Sequence, residues 1–201
     1  TITVSDATIN DVRTIDLDAS LDVDSTGNID ASGVSENLKI FGVAAGNNTL
    51  EGGSGNDSIV GGSASDTIMG AVGIDTLIGG NGDDLFLFAS ASELATDATV
   101  IGGGNTDTLR MDTGENGLSL IDSDFTKVIE VEKLDLTGTG TQSVTLGTET
   151  NQAFASGMSL TTNATAASLN LQGSSSTVSV NATGTNNADT MVGGSAADTL
   201  V

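Results

Sequence analysis

Hydrophobic and polar positions repeat with a period of nine between Gly52 and Leu87. The four units read GGSGNDSIV, GGSASDTIM, GAVGIDTLI and GGNGDDLFL. Each unit starts with a polar, glycine-rich turn and ends in a short apolar segment, whose eighth residue is Ile59, Ile68, Leu77 or Phe86. Because side chains alternate across a strand, this eighth residue is predicted to point into a shared interior. The pattern predicts a stack of short β-strands joined by tight turns.

The sixth residue of every unit is an aspartate. These residues are Asp57, Asp66, Asp75 and Asp84. Carboxylate oxygens are hard ligands of the kind that calcium prefers. Glycines at positions one, two and four allow the backbone to bring its carbonyl groups close to an ion. The turns are therefore predicted to bind calcium.

These units resemble the G-G-x-G-x-D-x-U-x repeat of the RTX (repeats-in-toxin) family. The resemblance implies a parallel β-roll, an all-β solenoid in which successive turns alternate between two edges and calcium lies between units n and n+2. One edge then carries Asp57 and Asp75. The other carries Asn48, Asp66 and Asp84, with Asn48 supplied by a degenerate leading unit at 43–51.

Family geometry also implies carbonyl ligands from the first four residues of each turn. The turn residues so assigned are Gly52, Gly53, Ser54, Gly55, Gly61, Gly62, Ser63, Gly70, Gly73, Gly79, Gly80, Asn81 and Gly82. Two units depart from the consensus, because Ala64 replaces a fourth glycine and Ala71 a second glycine. These alanines can still offer a carbonyl, but a positive φ there would weaken the site.

Three further aspartates occupy the sixth position of units outside the four-unit array. Asp107 lies in GGGNTDTLR, and Asp189 and Asp198 lie in the final two units, GTNNADTMV and GGSAADTLV. Each is a candidate calcium ligand for which we find no same-edge partner in the sequence.

An acidic segment resembles the start of an EF-hand loop. Asp22, Asp24 and Thr26 precede Gly27, but position twelve is Gly33 instead of glutamate. The segment lacks flanking helix patterns, which favours a solvated acidic turn over a calcium loop.

Stacked turns place same-edge aspartates near the strand spacing of about 4.8 Å. Each neighbouring pair then repels by about 1–3 kcal/mol for effective dielectric constants between roughly 80 and 20. A divalent ion between two turns reverses the sign of this interaction, so its binding energy becomes folding energy. We expect the chain to be largely disordered without calcium.

Composition narrows the function classes. The formal charge of −22, from 27 acidic and 5 basic residues, argues against nucleic acid or an anionic membrane as a partner. The chain has no cysteine and no histidine, so it can form neither a disulfide, nor an H-E-x-x-H zinc site, nor a Ser-His-Asp triad. No apolar run approaches the roughly 20 residues of a membrane helix. We predict neither an enzyme nor membrane insertion.

The regions outside the array keep β character. We expect a β spacer at 1–42, the calcium-binding roll at 43–110 with a break near 88–101, a second spacer at 111–183, and the start of another array at 184–201. Alternating polar and apolar residues predict strands at 134–136, 143–146, 168–171 and 177–180. A capping-box spacing from Ser90 to Glu93 predicts a short helix within the break.

A larger repeat is visible above the nonapeptide level. The segment Val12–Leu17 is echoed by Val131–Leu136, and each leads through a Ser/Thr/Gly-rich stretch towards an array. Repeats that stack on their neighbours predict an elongated body. We expect the chain to be a segment of a longer protein.

The resemblance is strongest to RTX-type bacterial surface-layer or large extracellular structural proteins. It implies an extracellular, calcium-binding structural module of a surface layer, sheath, filament or adhesin, exported by type I secretion. The expected partners are calcium and neighbouring copies of the chain, and a cell-surface glycan is left open. The alternative is a calcium-triggered folding and secretion module of an enzyme or toxin whose active domain lies elsewhere. Irregular third and fifth turn positions argue against the flat polar ladder of ice-binding relatives.

Overall fold

The computed structural model describes residues 2–5, 13–16, 27–96, 99–112, 117–162, 168–173 and 176–201. The chain forms two compact units. The first comprises Thr1–Leu87 with Thr96–Asp107, and the second comprises Phe88–Ala95 with Thr108–Val201. Asp22, Asp24 and Thr26 of the segment that resembles an EF-hand loop lie outside the described residues.

The first unit contains two parallel sheets, and successive strands alternate between them. The first sheet has the order β1 (Ile2–Ser5), β3 (Asn28–Gly33), β5 (Thr49–Glu51), β7 (Thr67–Met69) and β9 (Leu85–Phe88). The second sheet has the order β2 (Arg13–Asp16), β4 (Leu38–Phe41), β6 (Ser58–Gly62), β8 (Thr76–Asn81) and β10 (Thr99–Gly104). This alternation is that of a parallel β-solenoid, as predicted.

The interior of this unit is built from apolar ladders in exact register across the strands. Leu50 pairs with Ile68, which pairs with Phe86. In the second sheet Ile59 pairs with Leu77. All five side chains are fully buried. The predicted interior role of the eighth position is thus confirmed.

Spacer and array strands belong to the same sheets. β3 pairs with β5 and β4 pairs with β6, so the expected boundary at residue 42 is not a break in hydrogen bonding. Within the array, equivalent positions on one edge are 18 residues apart. In the second unit, Thr161 and Asp135 on paired strands are 26 residues apart. Spacer turns are therefore longer turns of the same kind of solenoid.

The second unit also has two parallel sheets. One has the order β11 (Thr108–Asp112), β14 (Lys133–Thr137), β16 (Met158–Thr162), β18 (Val180–Ala182) and β20 (Thr199–Leu200). The other has the order β12 (Leu118–Leu120), β15 (Gln142–Thr145), β17 (Leu169–Gln172) and β19 (Thr190–Val192). A two-residue strand, β13 (Val128–Ile129), precedes β14. Of the four predicted spacer strands, the last is displaced, since residues 177–179 are not part of β18.

Three short helices interrupt the strands of the described chain. The predicted helix is confirmed as α1 (Ala91–Thr96), where Ser90 Oγ accepts a hydrogen bond from Glu93 N at 3.1 Å. A 3-10 helix (Asp122–Phe125) and α2 (Thr148–Ala153) were not predicted. Their junction contains buried Phe125 and Phe154, whose rings meet edge to face with centroids 5.7 Å apart.

The two alanines that replace array glycines have different backbone conformations. Ala71 has φ of 68°, in the left-handed region that favours glycine, whereas Ala64 lies outside the positive-φ region. Of these two alanines, only Ala71 therefore has a backbone conformation that its side chain makes unfavourable.

We predict opposite effects for glycine at these two positions. Ala71→Gly should stabilise the calcium-loaded fold by about 0.5–1 kcal/mol. The substitution removes the steric strain of an alanine at positive φ, and this gain exceeds the loss that arises because glycine makes the unfolded chain more flexible. Ala64→Gly should destabilise it by about 0.4–1 kcal/mol, because only the entropic cost applies. Urea unfolding at saturating calcium measures both, and shifts of equal sign would contradict the prediction.

Candidate calcium sites

The four array aspartates lie in turns that directly precede strands and are almost fully buried, with at most 2% of each residue exposed. Asp57 and Asp75 precede β6 and β8 and lie on what we call the second-sheet edge. Asp66 and Asp84 precede β7 and β9 on the first-sheet edge. The structure thus groups the aspartates on two edges in the predicted way.

Each aspartate is held by the preceding turn on its own edge. Asp75 Oδ1 accepts a hydrogen bond from Asp57 N at 2.7 Å, and Asp84 Oδ1 accepts one from Asp66 N at 2.8 Å. Asp57 Oδ1 is similarly bound by Leu38 N at 2.8 Å. These charge-assisted bonds fix the carboxylates in a ladder along each edge.

The second carboxylate oxygen, Oδ2, lacks such a hydrogen bond in two of the array aspartates. Oδ2 of Asp66 and Oδ2 of Asp84 are buried and accept no hydrogen bond from any residue that the structure describes. A Cβ added to Gly61 would collide with Asp66 Oδ2 and lie 2.8 Å from Gly79 O. A carboxylate oxygen therefore lies close to a carbonyl oxygen from the next turn of the same edge. Such oxygens are unfavourable in a buried site unless a cation lies between them.

The other predicted turn ligands occupy three kinds of position. First glycines (Gly52, Gly61, Gly70, Gly79) lie against Oδ2 of their own aspartate. Second and fourth glycines (Gly53, Gly55, Gly62, Gly73, Gly80, Gly82) stack closely on the backbone of the preceding same-edge turn. Third residues (Ser54, Ser63, Asn81) are exposed. One predicted carbonyl ligand, Gly53 O, already accepts a hydrogen bond from Val72 N at 3.1 Å.

Asp107 extends the first-sheet edge. Its side chain is fully buried, and its Oδ1 accepts a hydrogen bond from Asp84 N at 2.8 Å across 23 residues. The expectation that Asp107 lacks a same-edge partner is therefore wrong. The cause is the longer segment containing α1, which adds residues between the two aspartates without changing the order of turns.

The final two candidates, Asp189 and Asp198, precede β19 and β20 and lie on opposite edges. Asp189 Oδ1 accepts a hydrogen bond from Leu169 N, and its Oδ2 accepts one from Thr185 N, both at 2.7 Å. Asp198 Oδ1 accepts a hydrogen bond from Val180 N at 2.9 Å. Each aspartate is thus held by a preceding turn that offers an apolar residue instead of a second carboxylate.

The fifth turn position has an unpredicted role. Asn56 Oδ1 accepts a hydrogen bond from Ile74 N at 3.0 Å, and Asp83 Oδ1 accepts one from Thr106 N at 3.0 Å. Ser65 Oγ accepts the equivalent bond from Asp83 N at 3.1 Å, so three of the four array turns are tied to the following turn on the same edge. An acceptor side chain at the fifth position of these three units was the available sequence signal.

The family model of the RTX calcium-binding nonapeptide repeat matches residues 44–77, 60–89 and 183–201. The chain contains RTX calcium-binding repeats. Such repeats bind several calcium ions, which confirms the predicted cofactor, and they are typical of extracellular, type I-secreted proteins. Comparison of the chain with curated proteins and with solved structures gives no significant match. Within the described ranges, no helix is long and apolar enough to span a membrane.

The oxygen-only donors of the RTX turns fit calcium. Among the described residues, no three acidic, histidine or cysteine side chains gather into a metal site. One carboxylate per turn would thus be supplemented by backbone carbonyls, a ligand set of the kind that calcium accepts. The orphaned Oδ2 atoms of Asp66 and Asp84 beside carbonyl oxygens are the observation that supports this fit.

Burial governs the protonation of the RTX aspartates. It raises the pKa of Asp57 and of Asp66 above the ordinary value, although backbone hydrogen bonds oppose the shift. It raises the pKa of Asp84 to about 7, and the negative charges of Asp107, Asp66 and Asp83 add to this effect. Without a cation, one proton near Asp84 thus relieves part of the repulsion.

We predict that acid favours the calcium-free fold. The folded Asp84 carboxyl binds a proton up to a pKa of about 7, and the unfolded one only up to about 4. The stabilisation is therefore complete below pH 4 and is lost as the pH rises to 7. Far-UV circular dichroism of calcium-depleted protein should show more β structure at pH 5 than at pH 8. The Asp84→Asn variant should show a smaller difference, and β content that is constant or rises with pH would refute the expectation.

Proposed function

We propose that this chain is an extracellular structural module whose RTX array folds and becomes rigid when it binds calcium. The observation that carries the proposal is the sharing of sheets between array and spacer in the first unit. Because β4 pairs with β6 and β3 with β5, fixing the array turns also fixes the adjacent spacer turns. The array and the adjacent spacer turns therefore belong to one hydrogen-bonded structure, so ions bound in the array would stabilise both.

The ions are proposed to lie between consecutive turns of one edge. The gaps concerned are Asp57 to Asp75, Asp66 to Asp84 and Asp84 to Asp107. In each gap the later carboxylate is already fixed by a backbone N–H of the earlier turn, at 2.7–2.8 Å. Such fixed ligands lower the ordering cost of binding.

A role in assembly with neighbouring copies is supported by the outer face of the second sheet. Phe41, Val60, Ile78 and Ile101 lie opposite one another in consecutive strands, and all four are at least partly exposed. The outward residues of the described strands β4, β6, β8 and β10 include no carboxylate. In a chain of net charge −22, the row across β4, β6, β8 and β10 offers a second copy an apolar contact without a carboxylate, although Asp16 of β2 is the register partner of Phe41.

We expect calcium to drive folding. Far-UV circular dichroism should show little β structure in the calcium-free chain at pH 8 and a cooperative gain on calcium addition. Asp84→Asn should raise the calcium midpoint about tenfold or more, since a charge-assisted contact of about 1.5–3 kcal/mol is lost.

Asp83→Asn is the matched control for this experiment. It removes the same charge from the exposed residue next to Asp84. The amide oxygen of the new asparagine can still accept the hydrogen bond from Thr106 N. Its midpoint should move about twofold or less, because exposed charges interact weakly. A β spectrum that chelator leaves unchanged would disprove calcium-dependent folding.

We expect calcium-dependent sheets or filaments of the purified protein in negative-stain electron microscopy. Ile78→Glu should abolish them without changing calcium-induced folding, because it places a charge in the apolar row. Thr67→Glu, on an outward position of the other sheet, is the control and should assemble. Monodisperse monomers at all calcium concentrations would instead favour a folding and secretion module attached to an enzyme or toxin.

A further inference from the structure

Asn48 occupies the sixth position of the leading turn, where the other turns of its edge carry aspartate. Asn48 is only 2% exposed. Backbone N–H donors fix the orientation of its side-chain amide. Oδ1 accepts hydrogen bonds from Val43 N at 2.9 Å and from Gly27 N at 3.2 Å. The reversed amide would direct its NH2 group at two N–H groups, so the oxygen must face them.

The amide nitrogen consequently points into the gap towards the next turn. Nδ2 lies 3.0 Å from Val43 O, 2.7 Å from Gly46 O, 3.2 Å from Gly61 O and 2.7 Å from Asp66 Oδ1. Two of these oxygens belong to the turn of Asn48, and two belong to the turn of Asp66. An NH2 group has two hydrogens, so four surrounding oxygens exceed what one amide normally requires.

The same kinds of oxygen recur in the next gap of this edge. There Gly79 O, the first carbonyl of the following turn, lies near Asp66 Oδ2. Gly61 O is its equivalent in the gap beside Asn48. The amide nitrogen of Asn48 therefore stands among oxygens of the type that are proposed to hold calcium elsewhere in the array.

We propose that the Asn48 amide replaces calcium in this first gap and is a neutral plug, instead of the calcium ligand suggested by the sequence. The inference rests on the proposed function, in which ions bind between same-edge turns. Asn48 Nδ2 and Asn48 N both donate to Asp66 Oδ1, at 2.7 Å each. The gap therefore closes without metal and holds Asp66 in place for the first ion.

Asn48→Asp tests the plug, because it restores a carboxylate and removes the NH2 donor. Isothermal titration calorimetry should show one more calcium ion per chain than in the unsubstituted protein. The control is Asn47→Asp, which adds the same charge at the exposed neighbouring residue and should leave the stoichiometry unchanged.

Equal stoichiometry in Asn48→Asp and the unsubstituted chain would overturn the plug and leave calcium binding intact. An unsubstituted chain that binds no calcium would overturn the proposed function and the plug with it. If Asn48→Asp fails to fold, a crystal structure of the unsubstituted calcium-loaded chain decides. Asn48 Nδ2 among the four oxygens would support the proposal, and an ion bound to Asn48 Oδ1 would refute it.

Discussion

The fold of the first unit depends on burying carboxylates in register along two edges. Each buried array aspartate accepts a backbone hydrogen bond from the preceding turn, which sets its position but does not compensate its charge. The strands carry fully buried apolar ladders and impose the spacing, so the carboxylates cannot move apart. On the proposed function, calcium resolves this conflict, because a divalent ion accepts several oxygen ligands from adjacent turns. Calcium binding would then contribute directly to the stability of the array.

The chain compensates other carboxylates with its own groups. Asp135 in the second unit binds Arg110 Nε at 2.7 Å and Thr161 Oγ1 at 2.8 Å, on the strands at either side. Asp122 accepts hydrogen bonds from Thr150 N and Thr150 Oγ1 at the start of α2, and these lower its pKa despite burial. Only 5 basic residues are available for 27 acidic ones, so such solutions cannot serve the whole chain. An external cation is the remaining general means of neutralisation.

Local periodicity was sufficient to predict the strands of the array, the interior position and the division of the array aspartates between two edges. It failed where contacts depend on distant residues. Asp107 was separated from Asp84 because the intervening segment breaks the nine-residue period, although the backbone keeps the turns adjacent. The cap of α2 comes from Asp122, 28 residues before Thr150. The orientation of Asn48 depends on Gly27 N as well as on its own turn. None of these partners follows from a repeat pattern.

The aspartate ladder of each edge has a direction. In each pair described, the carboxylate belongs to the later turn and the N–H donor to the earlier one. A turn that is added on the carboxyl-terminal side finds the N–H donor for its aspartate already in place. A turn that is added on the amino-terminal side instead meets a carboxylate that no backbone N–H has yet fixed. The two ends of the array are therefore not equivalent. Folding of the array is expected to proceed from the amino-terminal turns to the carboxyl-terminal turns, because each turn positions the aspartate of the next turn on its edge.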